Sequence, residues 1–212
     1  AAADPTRWNW RRGTETVEAD FVQKYGYWGR LPIYSDDGAP IAVWRTGAAD
    51  LEGYAREEVG DLLQRGFVAH LEDLLQSGRA ASRRSQRIVR ARVIIDASGL
   101  SLRSLRMGGQ TGKALLGVGK QYFAEITASV TVVRAPRVFT TIYRAIYPLL
   151  TPVMRRKICI LGDDFAAGLR EHAGIERAAL PKFLGGSRSD SEVAAAGRLP
   201  EGVGAVVRAA AR

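Results

Sequence analysis

Three short runs rich in Val and Ile, at 89–95, 129–133 and 158–161, are separated by stretches of helical periodicity rather than by tight turns. Such helix-length connections suit parallel strands, whose pairing needs a crossover of a dozen or more residues. Apolar runs without strict alternation also mark strands covered on both faces. A fourth short strand, Ile41-Ala42-Val43-Trp44, follows the turn signal SDDGAP at 35–40. Between the strands, apolar residues recur at three and four. The first helix is predicted from about Asp50, its cap, to Gln76, with Leu51, Val59, Leu62, Leu63, Phe67, Leu71, Leu74 and Leu75 on the buried face. A second, over about 112–126, carries Leu115, Leu116, Val118 and Phe123; a third runs from Pro136 to about Tyr147. The stretches SGRAASRRSQR (77–87) and SLRSLRMGG (101–109) read as connections. Strand and helix in alternation predict an α/β fold with a largely parallel sheet.

Composition sets the outer limits. The chain has 212 residues, 46% hydrophobic and 25% charged, enough for one domain with a sizeable core. No run reaches the roughly 18 apolar residues of a membrane span. A net charge of +9 favours anionic partners. Cys159 is the one cysteine, which excludes an internal disulfide and suits a buried strand position in a reducing compartment. The start AAADPTRW reads as a cut from something longer, residues 1–30 as a short helix and loop, and the stretch beyond Ser187 as a low-complexity, disordered tail.

Catalytic motifs fail on inspection. MGGQTGKA at 107–114 departs from the phosphate-binding loop twice, with Met107 in place of its first Gly and Ala114 in place of its metal-binding hydroxyl residue. His70 and His172 stand apart from any nucleophile motif. Asp96 ends a strand, and Asp36-Asp37 and Asp163-Asp164 suit turns and caps. No enzyme, no metal site and no cofactor is predicted.

The stretch RAPRVFTTIYRAIYPLLTPVMRRKICILG (134–162) raises a different possibility. Val138, Ile142 and Ile146 fall on one side of its helix, and Phe139, Tyr143, Tyr147 and Leu150 on the adjacent side. Thr140, Thr141 and Arg144 form a narrow polar remainder. An arc so wide suits a helix that covers a core with one side and meets another apolar surface with the other. Two readings remain open, a neighbouring helix or an apolar ligand. Pro148 and Pro152 end the helix, and Arg155-Arg156-Lys157 follow at once.

TPVMRRKICILG (151–162) resembles the CRAL-TRIO lipid-binding family, in which a proline-bounded gate helix runs into a strand that begins with Lys. QYFAEITASVTVVRAPRVF (121–139) is similar to the family's aromatic pair, Pro-Glu, strand and Asn-Ala-Pro segment. RVIIDASGLSLRSL (92–105), SDDGAPIAVWRTGAADL (35–51) and ALPKFLGG (179–186) resemble its other landmarks in the right order, over about residues 20–187. The resemblance implies a bowl-shaped α/β domain, with a largely parallel sheet as floor, flanking helices, an apolar lipid cavity and a gate helix over about 137–150.

It also implies a non-catalytic function, the binding and transfer or presentation of one hydrophobic lipid, phosphatidylinositol or a related phospholipid. A lipid-sensing or scaffold module is the second reading. Moving a lipid through water means hiding its acyl chains, at roughly 0.8 kcal/mol per CH₂. Glu125 and Lys157 match the headgroup pair. Val138, Phe139, Ile142, Tyr143, Ile146, Tyr147, Leu150, Ala91, Val93, Ile95, Tyr122 and Phe123 match the cavity and gate, and Arg155 and Arg156 the membrane contact. Ala91 and Val93 stand where family members that handle phosphatidylcholine carry Ser and Thr, Met154 replaces a hydroxyl beside the Lys, and Arg134 replaces the Asn before Ala-Pro. The implied partners are a phospholipid and, transiently, an anionic membrane surface, with no nucleic acid. The implied state is a cytoplasmic monomer, peripheral on membranes.

Overall fold

In the computed structural model, residues 28–56, 60–123 and 125–188 are described. The predicted N-terminal helix and loop and the C-terminal tail therefore lie almost wholly outside the described residues, as does Val59. Among the described residues, five strands make one sheet in the order β1 (Trp28–Tyr34), β2 (Pro40–Trp44), β3 (Ala91–Asp96), β4 (Thr127–Val133) and β5 (Ile158–Ile160). β1 and β2 are antiparallel and the other three pairings are parallel. The α/β class with a mostly parallel sheet is as the sequence predicts.

β1 was not foreseen. Its Pro32 lacks an N–H, which only an edge strand tolerates, so the run does not look like a strand from within. The turn Asp36-Asp37-Gly38 closes the hairpin, with Gly38 at φ 77° and the Ser35 N–H donating to the Ala39 carbonyl at 3.0 Å. Side chains alternate across each strand and fill two cores. Ala42, Ala91, Val93 and Val130 pack with Leu63, Phe67, Leu71, Leu74, Val118 and Phe123 on one face. Ile41, Val43, Ile94 and Val133 pack with Phe165, Leu169, Ala173, Leu180 and Leu184 on the other.

Among the described residues, six α-helices cover these faces: α1 (Leu51–Arg56), α2 (Gly60–Ser85), α3 (Leu102–Tyr122), α4 (Arg137–Ile146), α5 (Pro152–Lys157) and α6 (Ala166–Ala173). Residues of α1–α4 pack on the face of Val93, Ile95, Val130 and Val132, and α6 with its following turns covers the other.

Two stretches read as connections are helix instead. α2 runs on through 77–85, where Ala81 packs against Ala39 and Val89, and Ser82 and Ser85 donate back to the Gly78 and Ala81 carbonyls at 2.8 and 2.9 Å. α3 begins at Leu102 because the Ser101 hydroxyl caps it, accepting the Ser104 N–H at 3.1 Å. The glycine-rich stretch 107–114 is therefore helical, with no loop to cradle a phosphate. Leu116, predicted in the core, is 43% exposed.

Candidate functional site

The wide-arc helix, α4, hangs between two anchored ends. At its start, Arg134 sits in the left-handed region at φ 52°, a conformation uncommon for a long side chain. Its guanidinium holds the buried Asp96 carboxylate through two bonds, Nε to Oδ1 at 3.0 Å and Nη2 to Oδ2 at 2.6 Å. The backbone N–H groups of Arg134 and Ala135 donate to Gly162 and Leu161 just past β5. Arg45 brings a second guanidinium to Asp96 at 3.8 Å. Asp96 also accepts the Ser98 N–H at 3.0 Å, the turn role its position suggested. Its two arginine partners come from the ends of β2 and β4, far away in sequence.

At its other end α4 passes through a 3₁₀ turn, Tyr147–Leu149, into α5. Thr151 caps α5 by accepting the Met154 N–H at 3.2 Å, and Pro152 fills the first helical position. Arg155 folds back over the Tyr147 ring at 4.1 Å and donates to the Tyr147 carbonyl at 3.2 Å, so a cation satisfies the C-terminal end of the preceding turn. Tyr143 meets Tyr147 edge to face at 5.6 Å. Phe139 packs beside Ala97, Leu100 and Val132; Tyr143 and Ile146 are half-buried, Tyr147 is exposed and Leu150 buried. The side chains of Val138 and Ile142 lie outside those described.

The remaining predicted positions divide. Ala91 and Val93 are fully buried under α2 and α3, Phe123 joins the same cluster, and Ile95 is half-buried where that cluster meets the one around Phe139. Tyr122, at the end of α3, is 41% exposed. Arg156 is exposed, whereas Arg155 is committed to Tyr147.

Glu125 and Lys157, 32 residues apart, meet at the edge where β3, β4 and β5 begin. Lys157 Nζ lies 3.7 Å from Glu125 Oε2, and Arg90 Nη2 lies 3.5 Å from the same oxygen. Arg90 Nε fixes the loop by donating to the Glu125 carbonyl at 2.9 Å. The Lys157 ammonium is shielded from water and makes no hydrogen bond among the described residues. A desolvated ammonium with unused donors costs free energy until an acceptor reaches it.

Sequence reasoning missed a second constellation. The Trp44 indole N–H donates to His70 Nε2 at 2.9 Å, within a cluster of Trp28, Trp44, Phe67 and His70 rings. Burial, helped by the charge of Arg30, pulls the His70 pKa from 6.5 down to about 3, so the imidazole is neutral and Nδ1 carries its proton. Cys159 is a half-buried free thiol whose pKa is raised by burial and then by Glu171, which disfavours its thiolate.

A profile of the CRAL/TRIO domain matches residues 27–186. The chain is 31% identical over 169 residues to the CRAL-TRIO domain-containing protein T23G5.2 of Caenorhabditis elegans, covering 77% of this chain and 23% of that protein. It is 26% identical over 199 residues to the SEC14 cytosolic factor of Kluyveromyces lactis, covering 88% and 64%. It is also 28% identical over 197 residues to Protein real-time of Drosophila melanogaster, covering 86% and 29%. The chain thus spans less than two thirds of each of these relatives. Among solved structures, that of Sfh5 aligns with a TM-score of 0.49 at 15% identity, covering 77% of this chain and 60% of that one.

Proposed function

The chain belongs to the CRAL-TRIO family of lipid-binding domains, and from that premise we propose that it takes up one phospholipid with an anionic headgroup, phosphatidylinositol foremost, and passes it between membranes or presents it without covalent chemistry. The Lys157 ammonium carries this reading. It is desolvated, aimed at the Glu125 carboxylate, and left with donors that a phosphate oxygen would fill. Glu125 is 67% exposed, so inositol hydroxyls could reach its carboxylate beside Lys157 and Arg90. α4 is the gate in this reading. Its polar Thr141 and Arg144 face water while Phe139, Tyr143 and Ile146 turn inward, and acyl chains lie beneath it among Ile95, Leu150 and the sheet.

Native mass spectrometry of the purified protein tests the first half, with a co-purified phospholipid as the expected result and a ligand-free protein that takes up no added lipid as the overturning one. For the headgroup, Lys157→Ala and Glu125→Ala are measured against vesicles of phosphatidylinositol and of phosphatidylcholine. Loss of a charge-assisted hydrogen bond, about 1.5–3 kcal/mol, predicts a roughly ten- to hundredfold weaker uptake of the inositol lipid and a smaller loss for phosphatidylcholine. Equal losses for both lipids would remove the pair from headgroup selection. A vesicle-to-vesicle exchange assay separates transfer from presentation.

A further inference from the structure

Helix α3 has an outer face that neither its own packing nor the lipid reading uses. Its inner side is fixed by Val118 and Leu115 in the core and by Gly108, which backs onto Leu51. On the opposite side, Arg106, Lys113 and Lys120 follow one another at seven-residue spacing. Seven residues are nearly two turns, so the three cations stand in one row, roughly 10 Å apart at about 1.5 Å rise per residue. Leu102 and Leu116 flank the row, 67% and 43% exposed. No acidic residue occurs between Asp96 and Glu125, so the helix carries no carboxylate to neutralise the row. Among the described residues, none of these three cations has an ion-pair partner.

Two further features distinguish this face from an ordinary solvated one. Of the eight large apolar side chains exposed among the described residues, two, Leu102 and Leu116, stand on this face of the helix. Gly109 and Gly117 lie beside the row, and a Cβ at either would meet nothing within 4 Å. Close packing within the domain does not require glycine there. What the glycines do is keep the surface low, so that a flat partner can approach the backbone between the long cationic side chains.

We propose that the outer face of α3 is a docking surface for an anionic bilayer, with Arg106, Lys113 and Lys120 on lipid phosphates and Leu102 and Leu116 sunk at the headgroup boundary. Cations alone would suit nucleic acid equally; the interleaved leucines, exposed to water at a cost, favour a surface with an apolar layer beneath its charge. The site differs from the Lys157–Glu125 pair and from Arg155–Arg156, and it would hold the domain on the membrane whichever lipid the domain carries.

The test uses the whole 212-residue chain in co-sedimentation with vesicles of phosphatidylcholine, with and without about one-third phosphatidylserine. The wild type should bind the anionic vesicles and release them as salt rises. At about 1 kcal/mol per cation near the surface, Arg106→Gln/Lys113→Gln/Lys120→Gln weakens partitioning roughly a hundredfold. Leu102→Ser/Leu116→Ser, which keeps every charge, should weaken it at least tenfold, and circular dichroism confirms that these surface changes leave the fold intact. Three outcomes overturn the proposal: no binding of anionic vesicles by the wild type; unchanged binding by the charge variant; or loss of vesicle binding only with the charge variant while a short DNA duplex binds as tightly, the signature of a nucleic-acid face. Because bound lipid is read separately by mass spectrometry, failure of docking with lipid still present sinks this proposal alone, and docking without any bound lipid sinks only the lipid reading.

Discussion

Lowering the pH should loosen this protein through one side chain, His70. In the fold its imidazole is buried among Trp28, Trp44 and Phe67, with Nε2 occupied as acceptor for the Trp44 indole and with Arg30 nearby. Its pKa is depressed from 6.5 to about 3, so the unfolded chain takes up a proton that the fold refuses. The fold's advantage is therefore complete above pH 6.5 and declines as pH falls toward 3. At one pH unit below 6.5 the loss is about 1.4 kcal/mol, and at two units about 2.7 kcal/mol. For a chain of this size that larger loss lowers the melting temperature by roughly 5–10 °C. Asp37 does not confound the window. Burial raises its pKa, but the Ser35 hydroxyl and the Arg92 guanidinium outweigh burial and hold it below 3.8, so its contribution is lost only at lower pH. The assay is urea unfolding followed by tryptophan fluorescence at about pH 7, 5.5 and 4.5, extrapolated linearly. His70→Gln keeps an acceptor for the Trp44 indole and removes the titration, so its stability should stay nearly flat across that range. A variant that loses stability as steeply as the wild type would refute the reasoning.

Other perturbations probe the frame of the site. Arg134→Asn keeps a residue at ease with a left-handed φ but leaves the buried Asp96 carboxylate with the Ser98 N–H and, as cation, Arg45 at 3.8 Å; it should cost about 3 kcal/mol in urea unfolding, and a loss under about 1 kcal/mol would show that the pair does not brace the start of α4. Gly47→Ala would drive a Cβ into the Ser98 carbonyl and should abolish cooperative unfolding or cost several kcal/mol, whereas Gly109→Ala meets open space in mid-helix. The latter should raise stability by roughly 0.5–1 kcal/mol in the same assay, and a destabilising result would mean that α3 is not helical there.

The parallel part of the sheet was legible because continuous apolar runs and helical spacing are properties of the chain itself. β3, β4 and β5 fall within a few residues of the predicted runs. The failures share a cause, namely that the deciding partner is remote. β1 is a strand only because β2 pairs with it, Trp28 opposite Trp44 and Tyr34 opposite Pro40. The continuation of α2 depends on Ala81 finding Ala39 and Val89, and local composition there reads as a polar loop. Of the site, Glu125 and Lys157 could be paired only through family resemblance, since no spacing rule joins a turn before β4 to the last residue of α5. Asp96 could be read as a turn residue but not as the holder of Arg134 and Arg45, and His70 could be placed on an apolar face but not given its indole donor.

The two outermost strands have a consequence for life at high concentration. An open sheet offers its rim as a template on which a further chain can add, and long flat rims invite fibrils. Here one rim carries Pro32, which withholds a donor, and an irregular register between Arg30 and Tyr34. The other rim is β5, three residues long. Among the described residues, neither rim gives an incoming strand a straight row of bonds, so both resist the addition of a further chain.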